Sequence, residues 1–364
     1  MANENLTNAK RAKNDEFYTQ YIDIQKEINA YIDYNPDVFR DKTILLPCDD
    51  PEWSNFTKFF ITNFKNYGIK KLISTSYAKN SKRKIYGQLD LFEEADFIKN
   101  SEKYDPNSND FKGKIFTLTK EDDQVDLENL HWDYLEGDGD FRSDEVKKLR
   151  DEADFIITNP PFSLFREFLS WIIESQKKFL VISNINSITY KEVFPLIKSN
   201  RIWLGNGMGR WISGFIVPKN YELYGSEARI ENGQRIVSTN SCLWYTNIEH
   251  GRRHKPLQLM SMADNIKFNK KLKEPKYPKY DNYDAIDVPY TDAIPSDYDG
   301  VMGVPITFLD KYCPEQFEIL GTDSDVKNGL LPQIKNLDWE GKFDRGYINN
   351  KRIYSRILIK RKKV

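Results

Sequence analysis

From residue 20 to residue 204, short apolar runs alternate with stretches whose apolar residues recur every three or four positions. That alternation constrains the fold more than any other feature. Tyr21, Ile24, Ile28 and Tyr31 keep helical spacing and predict a helix over 20–33. Thr43–Pro47 reads as a buried strand, after which Ser54 caps a helix bearing Phe56, Phe59, Phe60 and Phe64 that Gly68 ends. Residues 69–76 form a second strand, a helix opens at Ser143, and Asp154–Thr158 forms a further strand. Ser163–Glu174 is an amphipathic helix, Phe179–Ser183 a strand, Thr189–Lys198 a helix and Ile202–Leu204 the next strand. Strands and helices joined by short loops imply an α/β fold, a parallel sheet with helices on both faces. Ligands of such sheets sit outside the carboxyl ends of the strands. Past about residue 250 the alternation gives way to Pro- and Tyr-rich sequence. The expected domains are therefore 1–250, with 79–131 as an insertion, and 251–364.

The net charge of −1 hides a polarity along the chain. Residues 88–154 carry 21 Asp and Glu against 9 Lys and Arg, whereas 250–280 carry 9 basic residues against 2 acids and 342–363 carry 9 against 1. The two basic stretches, interleaved with Tyr277, Tyr280, Tyr347 and Tyr354, have the pattern of a polyanion-binding surface. Arg252, Arg253 and Lys255 head the candidates for phosphate contact. Solvated loops and a basic tail are the plainer reading of the same runs. An aromatic content of 14% excludes a disordered chain. Cys48, Cys242 and Cys313 lie too far apart for a disulfide framework or a four-ligand zinc site, and only His131, His250 and His254 add to them. No metal is expected, and the cysteine usage suits a reduced cytoplasm. No apolar run reaches the ~18 residues that span a membrane, and the N-terminus lacks the apolar core of a signal peptide, so a soluble protein is expected.

Asn159-Pro160-Pro161-Phe162 follows the strand ending at Thr158 and precedes a helix, which puts it at the carboxyl end of a central strand. Two prolines fix the backbone and remove two N–H donors, leaving carbonyls free to accept. The Asn159 side-chain oxygen beside a proline carbonyl makes an outward pair of acceptors. A planar exocyclic amine has the two N–H donors to match, and accepting both would push its nitrogen toward tetrahedral geometry and free the lone pair. Phe162 adds a ring on which a flat base can stack, a contact worth ~1–3 kcal/mol. A plain Pro-rich turn with Asn as N-cap is the competing reading.

These residues, with Asp15-Glu16-Phe17-Tyr18-Thr19-Gln20, Cys48-Asp49-Asp50-Pro51, Gly137–Phe141, Gly303–Lys311 and the basic end, resemble the EcoRI-type adenine-specific DNA methyltransferase family over essentially the whole chain. The resemblance implies a Rossmann-like class I methyltransferase sheet with a C-terminal DNA-recognition region. It implies methyl transfer from S-adenosylmethionine to N6 of an adenine flipped out of double-stranded DNA, since that nitrogen is out of reach inside a stacked duplex. Asn159, Pro160, Pro161 and Phe162 would be catalytic. Tyr18, Thr19, Cys48, Asp49, Asp50, Asp140 and Phe141 would bind the cofactor, the carboxylates of the glycine-free 47–51 loop meeting its ammonium group. A monomer is expected, with a cognate restriction endonuclease that shares the site but forms no stable complex. Gly205-Asn206-Gly207-Met208-Gly209 reads as a loop near the target base. The alternatives are an amino-group methyltransferase acting on protein glutamine or RNA, and a catalytically silent DNA-binding module. The intact tetrad argues against the silent module, and the basic C-terminal third favours nucleic acid over a peptide.

Overall fold

Local chemistry sets the element ends in the first half of the chain. The Phe56 N–H donates to the Ser54 side chain at 3.0 Å and the Val146 N–H donates to Ser143 at 3.2 Å, so both serines are N-caps. The computed structural model describes residues 18–78, 111–122, 130–207, 212–217, 228–231, 233–237, 241–272 and 276–362. The elements are Tyr18–Thr19 (β1), Tyr21–Tyr34 (α1), Thr43–Leu46 (β2), Asn55–Asn63 (α2), Lys71–Thr75 (β3) and Lys114–Thr119 (β4). Then come Asp133–Tyr134 (β5), Asp144–Glu152 (α3), Phe155–Thr158 (β6), Phe165–Ser175 (α4) and Lys178–Asn184 (β7). The helix expected over 189–198 is confined to Phe194–Lys198 (α5). Trp203–Leu204 (β8), Phe215–Val217 (β9), Ala228–Glu231 (β10), Gln234–Val237 (β11) and Cys242–Thr246 (β12) follow.

The chain divides into two compact units, Met1–Val193 with Leu204–Glu249, and Phe194–Trp203 with His250–Val364. In the large sheet the order is β5-β4-β3-β2-β6-β7-β12-β8. Its centre, β3-β2-β6-β7, is parallel. β4 runs antiparallel to β3 and β12 antiparallel to β7, so the sheet is mixed rather than wholly parallel. β4 falls within 79–131, expected as an insertion, of which 79–110 and 123–129 are outside the described residues, and β12 lies beyond the last expected strand, Ile202–Leu204.

Every residue of β2 and β6 is buried, as central strands covered on both faces must be. The covering is visible at β12. Trp244 meets Phe56 of α2 edge-on at 6.0 Å, while its neighbour Tyr245, on the opposite face, meets Phe165 of α4 at 5.5 Å. Phe39 meets Phe60 at 5.8 Å and Phe155 at 5.2 Å, tying the helices to the sheet. Each such ring stabilises the fold by about 1.5–3 kcal/mol. A second, antiparallel sheet, β1-β9-β11-β10, places β1 beside β9 with Thr19 opposite Phe215.

The second unit contains Met262–Phe268 (α6), Ile286–Asp287 (β13), Met302–Val304 (β14), Phe317–Thr322 (β15), Asp323–Lys327 (α7), Tyr347–Ile348 (β16), Lys351–Arg352 (β17) and Ile357–Arg361 (β18). β18 lies between β14 and β15, antiparallel to both, with Ile357, Leu358 and Ile359 buried. Part of the expected basic tail is therefore an interior strand. Tyr277 and Tyr280, expected on a polyanion-binding surface, are buried. Their hydroxyls donate to the Ala293 carbonyl at 2.5 Å and to Asp287 Oδ1 at 2.7 Å, partners that composition does not reveal. No described helix is long and apolar enough to cross a membrane.

Candidate active site

The carboxyl end of β6 leads straight into Asn159–Phe162, and a closed circuit of contacts holds that tetrad. Thr158 donates its hydroxyl to Asp49 Oδ2 at 2.5 Å, and Ser54 donates to Asp49 Oδ1 at 2.7 Å. Asn55 then donates its amide to the Thr19 carbonyl at 2.8 Å. Thr19 faces Phe215 across the β1–β9 pair, and the Phe215 ring meets Phe162 edge-on at 6.1 Å. The expected cofactor segment, the loop after β2 and the tetrad are thus one packed assembly. The Leu164 N–H donates to the Pro161 carbonyl at 3.0 Å.

Asp49 is buried, and burial pushes its carboxyl up to about 7, while the hydrogen bonds from Thr158 and Ser54 pull the other way. Burial, followed by the charge of Asp49, pushes the Cys48 thiol far up and favours its neutral form. Asp50 pairs with Lys114 at 3.3 Å, and Glu52 takes the same ammonium. Lys114 is buried 4.7 Å from the Trp132 ring centre. Burial opposes its charge, but Asp50 and Glu52 outweigh burial and hold its pKa above the usual value. Its place in the site was not legible, because its partners lie 62 and 64 positions away in the sequence.

Asp140 is gripped by Arg142, whose Nη2 lies 2.6 Å from Oδ2, and Arg142 also reaches Glu167 of α4 at 2.9 Å. The Phe141 ring is buried, 5.0 Å from Phe168 and 5.7 Å from Trp171, so it anchors this segment to α4. Gly139, at φ 78°, and Gly113 both back onto the Ser76 carbonyl, where a side chain on either would collide with it. Of the expected segment 15–20, residues 15–17 lie outside the described residues.

Two acids escaped sequence reasoning. Glu27 and Asp23 of α1 are both fully buried. Glu27 accepts from Tyr31 at 2.8 Å and from the Asn206 N–H at 2.7 Å, and Asp23 accepts from the Ser213 N–H at 2.8 Å. The helix that follows Thr19 therefore fixes the segment opening at Gly205. Gly205 packs against Glu27 and Trp244 with no space for a side chain, which explains that glycine without any phosphate or cofactor. Met208 and Gly209 lie outside the described residues. The helical spacing of α1 was the available signal: Asp23 and Glu27 fall on the same stripe as Ile24, Ile28 and Tyr31.

In the second unit, Arg253 is buried, its guanidinium 3.8 Å from the Trp203 ring centre and donating to Asn200 at 3.2 Å. Arg252 pairs with Asp310 at 2.5 Å. Of the three expected phosphate contacts, these two have partners inside the unit, and Lys255 is exposed. No group of acids, histidines and cysteines able to hold a metal ion exists among the described residues.

Comparison with known proteins shows the family of the chain. The family model for the adenine-specific methyltransferase EcoRI matches residues 5–362. The chain is 47% identical over 363 residues to the type II methyltransferase M.EcoRI of Escherichia coli, covering 100% of this chain and 98% of the relative. It is 33% identical over 366 residues to M.MgeORF184P of Mycoplasma genitalium, covering 98% of each, and 30% identical over 315 residues to M.MpnI of Mycoplasma pneumoniae, covering 86% and 83%. No solved structure matches. The chain belongs to the EcoRI-type family of adenine-specific methyltransferases.

Proposed function

We propose that this protein is a site-specific DNA methyltransferase that transfers a methyl group from S-adenosylmethionine to N6 of an adenine flipped out of duplex DNA, on a Rossmann-like sheet. The observation that carries this reading is the contact circuit joining Asp49, Thr158, Thr19 and Phe162 around the strand end that bears Asn159. The residues fit the cofactor. The Thr19 hydroxyl is buried and has no hydrogen-bond partner among the described residues, an unmet polar atom beside Asn55 that suits the amino-acid end of the cofactor. Tyr18 in β1, Cys48, Asp49 and Asp50 in the loop after β2, and Asp140 and Phe141 in the segment before α3 are the other residues that would hold it. When bound, the cofactor supplies a methyl group activated by its sulfonium.

The chain's own residues do the rest. Asn159 and the Pro160 carbonyl accept the two amine hydrogens and free the nitrogen lone pair, and Phe162 offers a ring to the extruded base. The amine sheds its proton after transfer, so no strong base is required. Asn159→Ala tests the assignment. N6-methyladenine in DNA from expressing cells should fall by a factor on the order of 10² or more, with cofactor binding by calorimetry retained. Wild-type turnover in this variant sinks it.

A further inference from the structure

The β16–β17 hairpin turns at Asn349 and Asn350, both in left-handed backbone with φ 51° and 59°. A two-residue turn of type I′ demands that pair of positive φ values, which glycine and asparagine meet most readily. Here asparagine holds both positions, both residues are exposed, and neither side-chain amide has a partner among the described residues. The hairpin is braced from below. The Asn350 N–H donates to Asp281 Oδ2 at 2.7 Å, and the Asp281 N–H donates to the Tyr347 carbonyl at 2.8 Å. The Tyr347 N–H donates to fully buried Asn282 at 3.0 Å, whose amide donates to the Arg345 carbonyl at 2.7 Å. Around this fixed base the surface is basic and aromatic: Lys351 and Arg352 are exposed, Arg352 with Asp344 as its ion-pair partner at 2.8 Å, and Tyr354 is 86% exposed.

We propose that this hairpin enters a groove of duplex DNA, that the Asn349 and Asn350 amides read base edges there, and that Lys351 contacts phosphate. The inference rests on the DNA reading above and adds where the sequence is read. A two-stranded ribbon fits the major groove, and a planar amide presents a donor and an acceptor together, matching the N6 and N7 edge of an adenine in a bidentate pair. Glycine at both positions would reverse the chain as well. Amides held outward on a rigid base gain nothing for the fold.

The decisive variant is Asn349→Gly with Asn350→Gly, which keeps the backbone conformation and deletes both amides. Wild type and variant are expressed in a bacterial strain free of adenine methylation, and N6-methyladenine is mapped across the genome. The thermal midpoint should hold or rise, and methylation of the wild-type motif should fall about tenfold to a hundredfold for a lost bidentate contact, with discrimination relaxed at one or more motif positions. Lys351→Gln should weaken binding to all sequences alike and lower the salt slope by about 0.9. A double-glycine variant with wild-type rate and motif overturns the inference alone. Absence of N6-methyladenine with the wild-type chain overturns the function together with it. If the pair lowers the thermal midpoint, Asn350→Gly alone is judged by the same criteria.

Discussion

Thr158 donates its hydroxyl to Asp49 Oδ2 at 2.5 Å across 109 residues of sequence, tying the residue before the Asn-Pro-Pro-Phe tetrad to the loop after β2. Both residues are buried, so the bond is shielded from water and its loss leaves a buried acceptor unmet.

Thr158→Val keeps the side-chain shape and removes that donor. Stability should fall by about 1–3 kcal/mol in urea unfolding. Turnover should fall as well, with DNA affinity unchanged, because Asn159 loses its anchor while the surface is untouched. An unchanged unfolding midpoint with unchanged turnover would show that the contact contributes nothing.

Asp49 also sets a pH dependence. Burial raises its carboxyl from the ordinary 3.8 to about 7, so between those values the folded chain keeps a proton that the unfolded chain has released. Its contribution to stability is fully present below the lower value and is lost as pH climbs through the upper one. Asp23 and Asp323, also raised chiefly by burial, act in the same direction, so the test is a difference. Urea midpoints across this window should decline more steeply in the wild type than in Asp49→Asn, which has no proton to lose. Parallel profiles would contradict the assignment.

Gly205→Ala should destabilise by about 1–3 kcal/mol, the usual cost of overpacking. The new methyl would press on the Glu27 carboxylate and Trp244. Thermal unfolding reads this directly. A wild-type midpoint would mean that the segment is free to shift and that Glu27 does not hold it.

Arg253→Ala removes a guanidinium stacked on Trp203 and a hydrogen bond to Asn200. The expected loss is about 1–3 kcal/mol of stability, with the salt dependence of DNA affinity unaltered. Lys255→Gln should do the reverse, lowering the salt slope by about 0.9 with stability intact. A flattened slope in the Arg253 variant with unchanged stability would instead make it a phosphate contact.

What the sequence by itself determined is local. Helical spacing marked α1, serine caps marked the starts of α2 and α3, and apolar runs marked β2, β6 and β7, because capping and periodicity act within a few residues. The place of the Asn-Pro-Pro-Phe tetrad was legible for the same reason: it directly follows the strand Phe155–Thr158 in the sequence. The tertiary structure alone decided what distant residues do to one another. It turned Tyr277 and Tyr280 inward, gave Arg252 and Arg253 partners, buried Asp23, Glu27 and Lys114, and made Ile357–Arg361 an interior strand. Asp23 meets Ser213, Glu27 meets Asn206 and Lys114 meets Glu52, partners so far off in the sequence that composition and spacing give no sign of them.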